Sequence, residues 1–425
     1  MMKSQDFTRT RPPVKIKRVR AIATAPEGLN LIVVRVDTTE PGLYGLGCAT
    51  FTQRAMAVVT AINSYLNDFC AGRSAENIED LWQSCYVSSY WRNGPVLNNA
   101  LSGLDQALWD IKGKMAGMPV YQLLCGKCRF AVDCYGHASG PTPEVIADSV
   151  QSFISQGFRH VRIQQGGTSL MSFQKGGYGG VGITGTEPDF KKAGFGMPDD
   201  SFMDDQAYLR SVPEIFDVVR KRCGEEIELL HDIHERCQPV DVINLCRKLE
   251  QYRPFLIEDP LSPENTHWWK QMRKSTTVPF AMGELFNNIN EFLDPVSNHY
   301  FDYLRIHVSQ LGGITPAMKA ARLAEFFNVK VAWHGPGDVS PVGHAANCHM
   351  DLACWNFGIQ EAVTFTDKLL EIFPGSPVMK DGYMYINESP GLGVDINEKE
   401  AAKYPINNKA PGWTVRKRDG TIIRP

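Results

Sequence analysis

Three carboxylates recur at one spacing. Asp232 follows Glu-Leu-Leu-His, Glu258 follows Phe-Leu-Ile, and Glu284 follows Phe-Ala-Met-Gly. Each ends a short apolar run, and successive members are 26 residues apart, the length of one strand-helix unit. If those runs are neighbouring strands of a parallel barrel, the acids stand side by side at its C-terminal mouth, where the catalytic residues of such barrels lie. Three carboxylates so close repel one another unless a cation neutralises them. An all-oxygen set completed by water suits Mg2+. A single Asp or Glu after a strand is ordinarily a helix cap or half of an ion pair. The repeated spacing is what points to a metal.

Other polar groups end neighbouring runs. His234 lies two residues beyond Asp232, so in an extended strand both side chains would face one way. Arg305, His334 and Glu361 close the later runs Tyr-Leu-Arg, Val-Ala-Trp-His and Gly-Ile-Gln-Glu, while Arg162 and Gln164 end an earlier one. A lone histidine is more often structural than catalytic. Histidines that share a mouth with acids and an arginine are candidates for proton transfer.

The elements that must position these groups follow from the hydropathy pattern. Residues 15–50 read as strands and turns, including Leu31-Ile-Val-Val-Arg-Val. Leu101, Leu104, Leu108 and Ile111 repeat at helical spacing. The first 125 residues or so are therefore α+β. Beyond Ala131, β-like runs alternate with amphipathic stretches such as 239–252 and 315–327, which implies a parallel sheet with crossovers. Seven or eight such units in about 240 residues suit a closed barrel. Residues 165–203 are long and glycine-rich, as expected of a segment over one barrel mouth. From about Asp381 the chain returns to turns and short strands, expected to fold back onto the first domain.

Composition excludes several classes. The 425 residues are 43% hydrophobic and 21% charged, with a net charge of -3. General disorder is ruled out, and there is no electrostatic case for nucleic-acid binding. No apolar stretch approaches a membrane span, and residues 1–13 lack the apolar core of a signal peptide. The 11 cysteines are scattered, which reads as reduced thiols in a cytoplasmic protein. Cys125 and Cys128 have CxxC spacing but no second pair, so neither zinc nor redox work is read from them.

These residues carry a resemblance. Asp232-Ile-His234, Ile257-Glu-Asp-Pro, Gly283-Glu-Leu-Phe-Asn, Trp333-His-Gly-Pro-Gly-Asp-Val-Ser-Pro and Asn356-Phe-Gly-Ile-Gln-Glu361 resemble the enolase superfamily. They are most similar to its mannonate dehydratase group, as are Tyr90-Trp-Arg-Asn-Gly-Pro and the stretch 107–124. The likeness runs from about Val14 to Pro405. It implies an α/β fold, a modified (β/α) TIM-type barrel at 131–380. An α+β capping domain at 1–130 would be completed by the tail 381–425. It implies Mg2+ on Asp232, Glu258 and Glu284, and a six-carbon aldonic acid of mannonate or gluconate type as substrate. Arg162 and Tyr178 match the pair that removes the C2 proton. His234 matches the acid that protonates the departing 3-hydroxyl. His137, Arg305, His334, Asp338 and Glu361 match substrate-binding positions. The product would be a 2-keto-3-deoxy sugar acid, and relatives of this kind assemble as dimers or octamers.

The chain departs from the efficient mannonate dehydratases at the specificity positions. Thr52 stands for an Asn and Pro336 for an Ala, and the tail Gly420-Thr-Ile-Ile-Arg-Pro425 lacks a closing Trp. The pattern resembles a galactonate dehydratase-like or starvation-sensing subgroup. Two alternatives therefore stand beside a dehydratase of low efficiency. One is a weak or inactive sugar-acid-binding regulator. The other is a racemase or epimerase, against which Arg162 and Gln164 replace the usual lysine pair.

Overall fold

The computed structural model describes residues 11–165, 201–407, 414–417 and 419–424. The chain opens with an antiparallel sheet of β1 (Ile16–Thr24), β2 (Leu31–Thr38) and β3 (Tyr44–Cys48), in that order. The helix Pro95–Ala116 lies on β3, with Leu101, Leu104, Leu108 and Ile111 all buried. Proline at its first turn and Gly117 in the left-handed conformation at its end bound it. Helix and strand touch through glycines. A Cβ on Gly47 would fall 2.1 Å from the carbonyl oxygen of Gly103, so any side chain there would push the two elements apart.

Eight strands form the barrel. They are β4 (Val132–Gly140), β5 (His160–Gln165), β7 (Glu228–Asp232), β8 (Leu256–Glu258), β9 (Phe280–Met282), β10 (Tyr303–Leu304), β11 (Lys330–Val331) and β12 (Gln360–Glu361). A short β6 (Ser201–Phe202) lies outside the ring. Neighbours from β4 round to β11 are parallel in chain order, and β12 pairs with β4. A parallel bridge between Val331 and Phe357 closes the gap between β11 and β12. Amphipathic helices such as Pro239–Leu249 and Ile314–Phe326 cross over between strands.

The barrel interior explains where the polar residues stand. One layer of the core holds Tyr135, Leu230, Leu256, Ala281, Tyr303, Ala332 and Ile359. Side chains alternate along a strand, so the residue two further on also points inward. Those residues are His137, Asp232, Glu258, Arg305, His334 and Glu361. Glu284 is three beyond Ala281, and Gly283 at φ 137° absorbs the extra residue. The apolar layer therefore forms the floor of a polar mouth.

The tail serves two partners. β13 (Val378–Lys380) and β14 (Tyr383–Tyr385) form a hairpin, and β14 pairs antiparallel with the start of β4. Residues 395–404 lie against the N-terminal sheet, with the Tyr44 hydroxyl donating to Asp395, an Arg20 to Glu398 ion pair and a Thr24 hydroxyl donating to the carbonyl of Ala401. The last strands, β15 (Val415–Arg416) and β16 (Ile422–Ile423), pair instead with β6. That corrects the expectation that the whole tail joins the cap, because strand pairing with β6 satisfies their backbone groups on the barrel side. Among the described residues no helix is long and apolar enough to cross a membrane.

Candidate active site

The mouth holds five buried or nearly buried carboxylates that share two guanidinium groups. Arg162 Nη1 lies 2.9 Å from Glu258 Oε2, 3.3 Å from Asp232 Oδ2 and 3.3 Å from Glu361 Oε1. Arg305 donates to Glu284 and Glu361, and its Nη1 is 3.4 Å from Asp259 Oδ2. His137 Nε2 stands 3.0 Å from Glu361 Oε1. His334 Nδ1 is 3.2 Å from Glu284 Oε2, and its Nε2 is 3.4 Å from Asp338 Oδ1. Predicted residues on, or just beyond, all eight barrel strands thus meet in one network.

Charge follows from these contacts. Burial disfavours the imidazolium of His334, but Glu284, Asp338 and Glu361 outweigh it and push its pKa up to about 10. His334 is therefore a cation at neutral pH. Burial opposes ionisation of Glu361, yet Arg305, His137 and His334 hold it well below the usual carboxylate range. Glu284 is likewise held low against its burial by His334, Arg305 and His234. Burial, reinforced by Arg162, lowers the pKa of His137 and keeps it neutral.

The donor set fits a hard divalent cation. The five carboxylates outnumber the two guanidinium groups and the protonated His334 that face them, and the ligating atoms are oxygens. Asp232 Oδ1 is buried and accepts no hydrogen bond among the described residues, which leaves a carboxyl oxygen open to a ligand. Asp232, Glu258 and Glu284 end three adjacent strands and could hold such an ion. Their ligand atoms do not lie within 4.8 Å of one another; the set that does, among the described residues, is His307, His334 and Asp338. Arg162 and Arg305 stand between the three acids and join them as bridges. Two nitrogens and one oxygen would suit zinc better than Mg2+, but a protonated His334 has no lone pair to offer. That second set reads as an ion-pair cluster.

One expectation about geometry is overturned. His234 is not on the extended strand, which ends at Asp232. It sits in a turn at φ 56°, followed by Glu235 at φ 52°, so the rule of alternating faces does not aim it. The turn is fixed by backbone bonds from Ile233 to Glu258 and from Glu235 to Asp259. His234 still stands close enough to Glu284 to favour its ionised form. Tyr178 lies outside the described residues.

Three residues of the network were not read from the sequence. Tyr135 donates its hydroxyl to Glu258 Oε1. Asp259, at φ 37°, contacts Arg305. His307 stacks on His334 with ring centres 4.6 Å apart, while its Nδ1 caps the helix that follows by accepting from the backbone of Gln310. The signal available for the first two was position: Tyr135 is two residues before His137, and Asp259 directly follows Glu258.

Known proteins match throughout. Residues 4–125 match the N-terminal domain of mandelate racemase and muconate lactonizing enzyme, and residues 145–400 match the enolase C-terminal domain-like family. A D-galactonate dehydratase family member from Salmonella virchow is 49% identical over 97% of this chain and 99% of its own length. One from Pantoea ananatis is 48% identical, over 96% and 99%. A crystal structure of an enolase from Pantoea ananatis, with bound D-gluconate and Mg, superposes with a TM-score of 0.90 at 46% identity, covering 97% of this chain and all of that one. The chain is accordingly a member of the enolase superfamily and, within it, of the D-galactonate dehydratase family.

Proposed function

We propose that the protein is a Mg2+-dependent hydro-lyase that removes water from a six-carbon aldonic acid of gluconate or mannonate type. The observation that carries this reading is the ring of carboxylates bridged by Arg162 and Arg305, with His234 in the turn beside it. The D-gluconate and Mg bound to the Pantoea ananatis enolase support the substrate class and the metal. Mg2+ held by Asp232, Glu258 and Glu284 would supply electrostatic stabilisation of charge that develops on the substrate carboxylate.

The chain's own residues divide the remaining work. Arg305, His334 and His137 present donors to the substrate carboxylate and hydroxyls, while Glu361 and Asp338 hold those donors in place. Arg162, with Tyr178, serves the removal of the C2 proton. His234 gives a proton to the 3-hydroxyl oxygen, which leaves as water when the C3–O bond breaks. The resulting enol takes a proton at C3 and becomes a 2-keto-3-deoxy acid. Arg162 and Gln164 occupy β5, and neither supplies the second base that racemisation needs. We place the enzyme in a reducing compartment such as the cytoplasm, where its eleven free thiols persist, as a homo-oligomer.

The test is a screen of six-carbon aldonic acids with the Mg2+-loaded protein, reading the 2-keto-3-deoxy product. Formation of that product from at least one of them is the expected result. Metal-loaded protein that binds aldonates but converts none would overturn the proposal in favour of a sugar-acid-binding regulator.

A further inference from the structure

We propose that Tyr135 is a positioning residue that sets Glu258 for the metal, an inference that rests on the Mg2+ reading above. Tyr135 belongs to the apolar floor of the barrel and is 1% exposed. Its hydroxyl nevertheless reaches up into the charged layer. It donates to Glu258 Oε1, while its own oxygen accepts from Arg305 Nε at 3.5 Å. The other oxygen of Glu258 accepts from Arg162 Nη1 at 2.9 Å. Both oxygens of the carboxylate are therefore pinned, one by an arginine and one by a phenol.

A phenol suits this place because it donates and accepts at one atom without adding charge. It can link Arg305 to Glu258 across the ring from β4, where a second cation would draw the carboxylate away from a metal. Tyr135 also pairs in register with Glu361 of β12 and His160 of β5, so its backbone is held by a strand on each side. Removing the hydroxyl frees Glu258 to swing onto Arg305 Nε, now 3.6 Å away. Residues that orient a metal ligand typically change affinity by about 10- to 100-fold when removed.

The experiment is calorimetric titration of Mg2+ into metal-free wild-type, Tyr135→Phe and Tyr135→Met protein, with thermal unfolding in EDTA as the check on folding. Tyr135→Met serves if Tyr135→Phe does not accumulate. Mg2+ binding to Tyr135→Phe is expected to weaken by about 10- to 100-fold, with only a small change in unfolding temperature in EDTA. Saturating Mg2+ should then restore the KM for the aldonate, which a general structural defect would not allow. Wild-type Mg2+ affinity in the variant, or a KM defect that persists at saturating Mg2+, overturns the inference while the Mg2+ reading stands. Absence of Mg2+ binding by the wild type overturns both.

Discussion

Arg162 donates to Glu258 at 2.9 Å from two strands away, and the same nitrogen also faces Asp232 and Glu361. Its charge is therefore spread over three buried acids. Breaking a buried pair by removing one partner costs about 3–5 kcal/mol. Arg162→Met is expected to lose that much stability in EDTA and to regain part of it in Mg2+, as a cation relieves the same acids. Urea unfolding in the two conditions measures the difference. Equal losses in both would show that the guanidinium and the metal do not act on the same charges.

The two proton transfers can be separated. If His234 serves only the departing hydroxyl, His234→Asn should lower dehydration by about 100- to 10,000-fold. Exchange of the C2 proton with deuterated solvent should continue, since another group removes it. Proton NMR of the aldonate in deuterium oxide reads both. Loss of exchange together with dehydration would place His234 on the C2 proton instead.

Metal removal should be visible in stability alone. A ligand at 100 times its Kd stabilises the native state by about 2.7 kcal/mol. Mg2+ in that excess is expected to raise the wild-type unfolding free energy by that amount over EDTA. Asp232→Asn, which neutralises the acid with the open Oδ1, should abolish the increment. An unchanged increment would remove Asp232 from the ligand set.

A buried histidine away from the mouth sets a pH dependence. His349 Nδ1 accepts from the backbone of Tyr121 at 3.1 Å, and its Nε2 is 3.2 Å from the carbonyl of Leu392. Burial lowers its pKa to about 4. A histidine depressed in the folded state adds stability that is present above its unfolded pKa of about 6.5 and is lost as pH falls toward the folded value. The span corresponds to about 3 kcal/mol. His349→Gln keeps a donor and an acceptor, so its urea stability should fall less steeply than wild type between pH 6.5 and 4. Parallel curves would mean that other groups set the acid limit.

The cap is tethered to the barrel at a point where the backbone leaves no room. Asp105 accepts from the backbone of Thr315 at 2.9 Å and from its hydroxyl. Gly313 has φ 114°, and a Cβ there would fall 2.4 Å from Asp105 Oδ2. Gly313→Ala should destabilise by about 1–3 kcal/mol from backbone strain alone, with a further loss from the displaced carboxylate. Thermal unfolding checks it. A wild-type melting curve would show that the loop relocates freely.

How much of the site was legible follows from which of its properties are local. Asp232, Glu258, Arg305, His334 and Glu361 each follow an apolar run, and a strand's alternation is written into the few residues around each position. Their common height in the barrel could therefore be read off the chain. His234 could be singled out but not aimed, because the strand stops at Asp232 and a backbone bond from the neighbouring strand end pulls the chain into a left-handed turn. Tyr135 looked like core, and it is core as far as its ring. Its hydroxyl acquires a task only because β8 lies across the interior from β4.

The tail divides along the same line. The strand Tyr383–Tyr385 was visible as a turn-bounded apolar run, whereas the run Pro390-Gly-Leu-Gly-Val forms no strand, and which edge each strand would join depended on distant strands with free backbone groups. The amino-acid order by itself determined the alternating units, the layer at which the charges stand and the excess of acids among them. The closed ring decided which cation meets which acid, where His234 points and where the last strands dock. The contact of Arg162 with Glu361 joins residues 199 positions apart, and no local pattern encodes the distance between two side chains that only ring closure brings together.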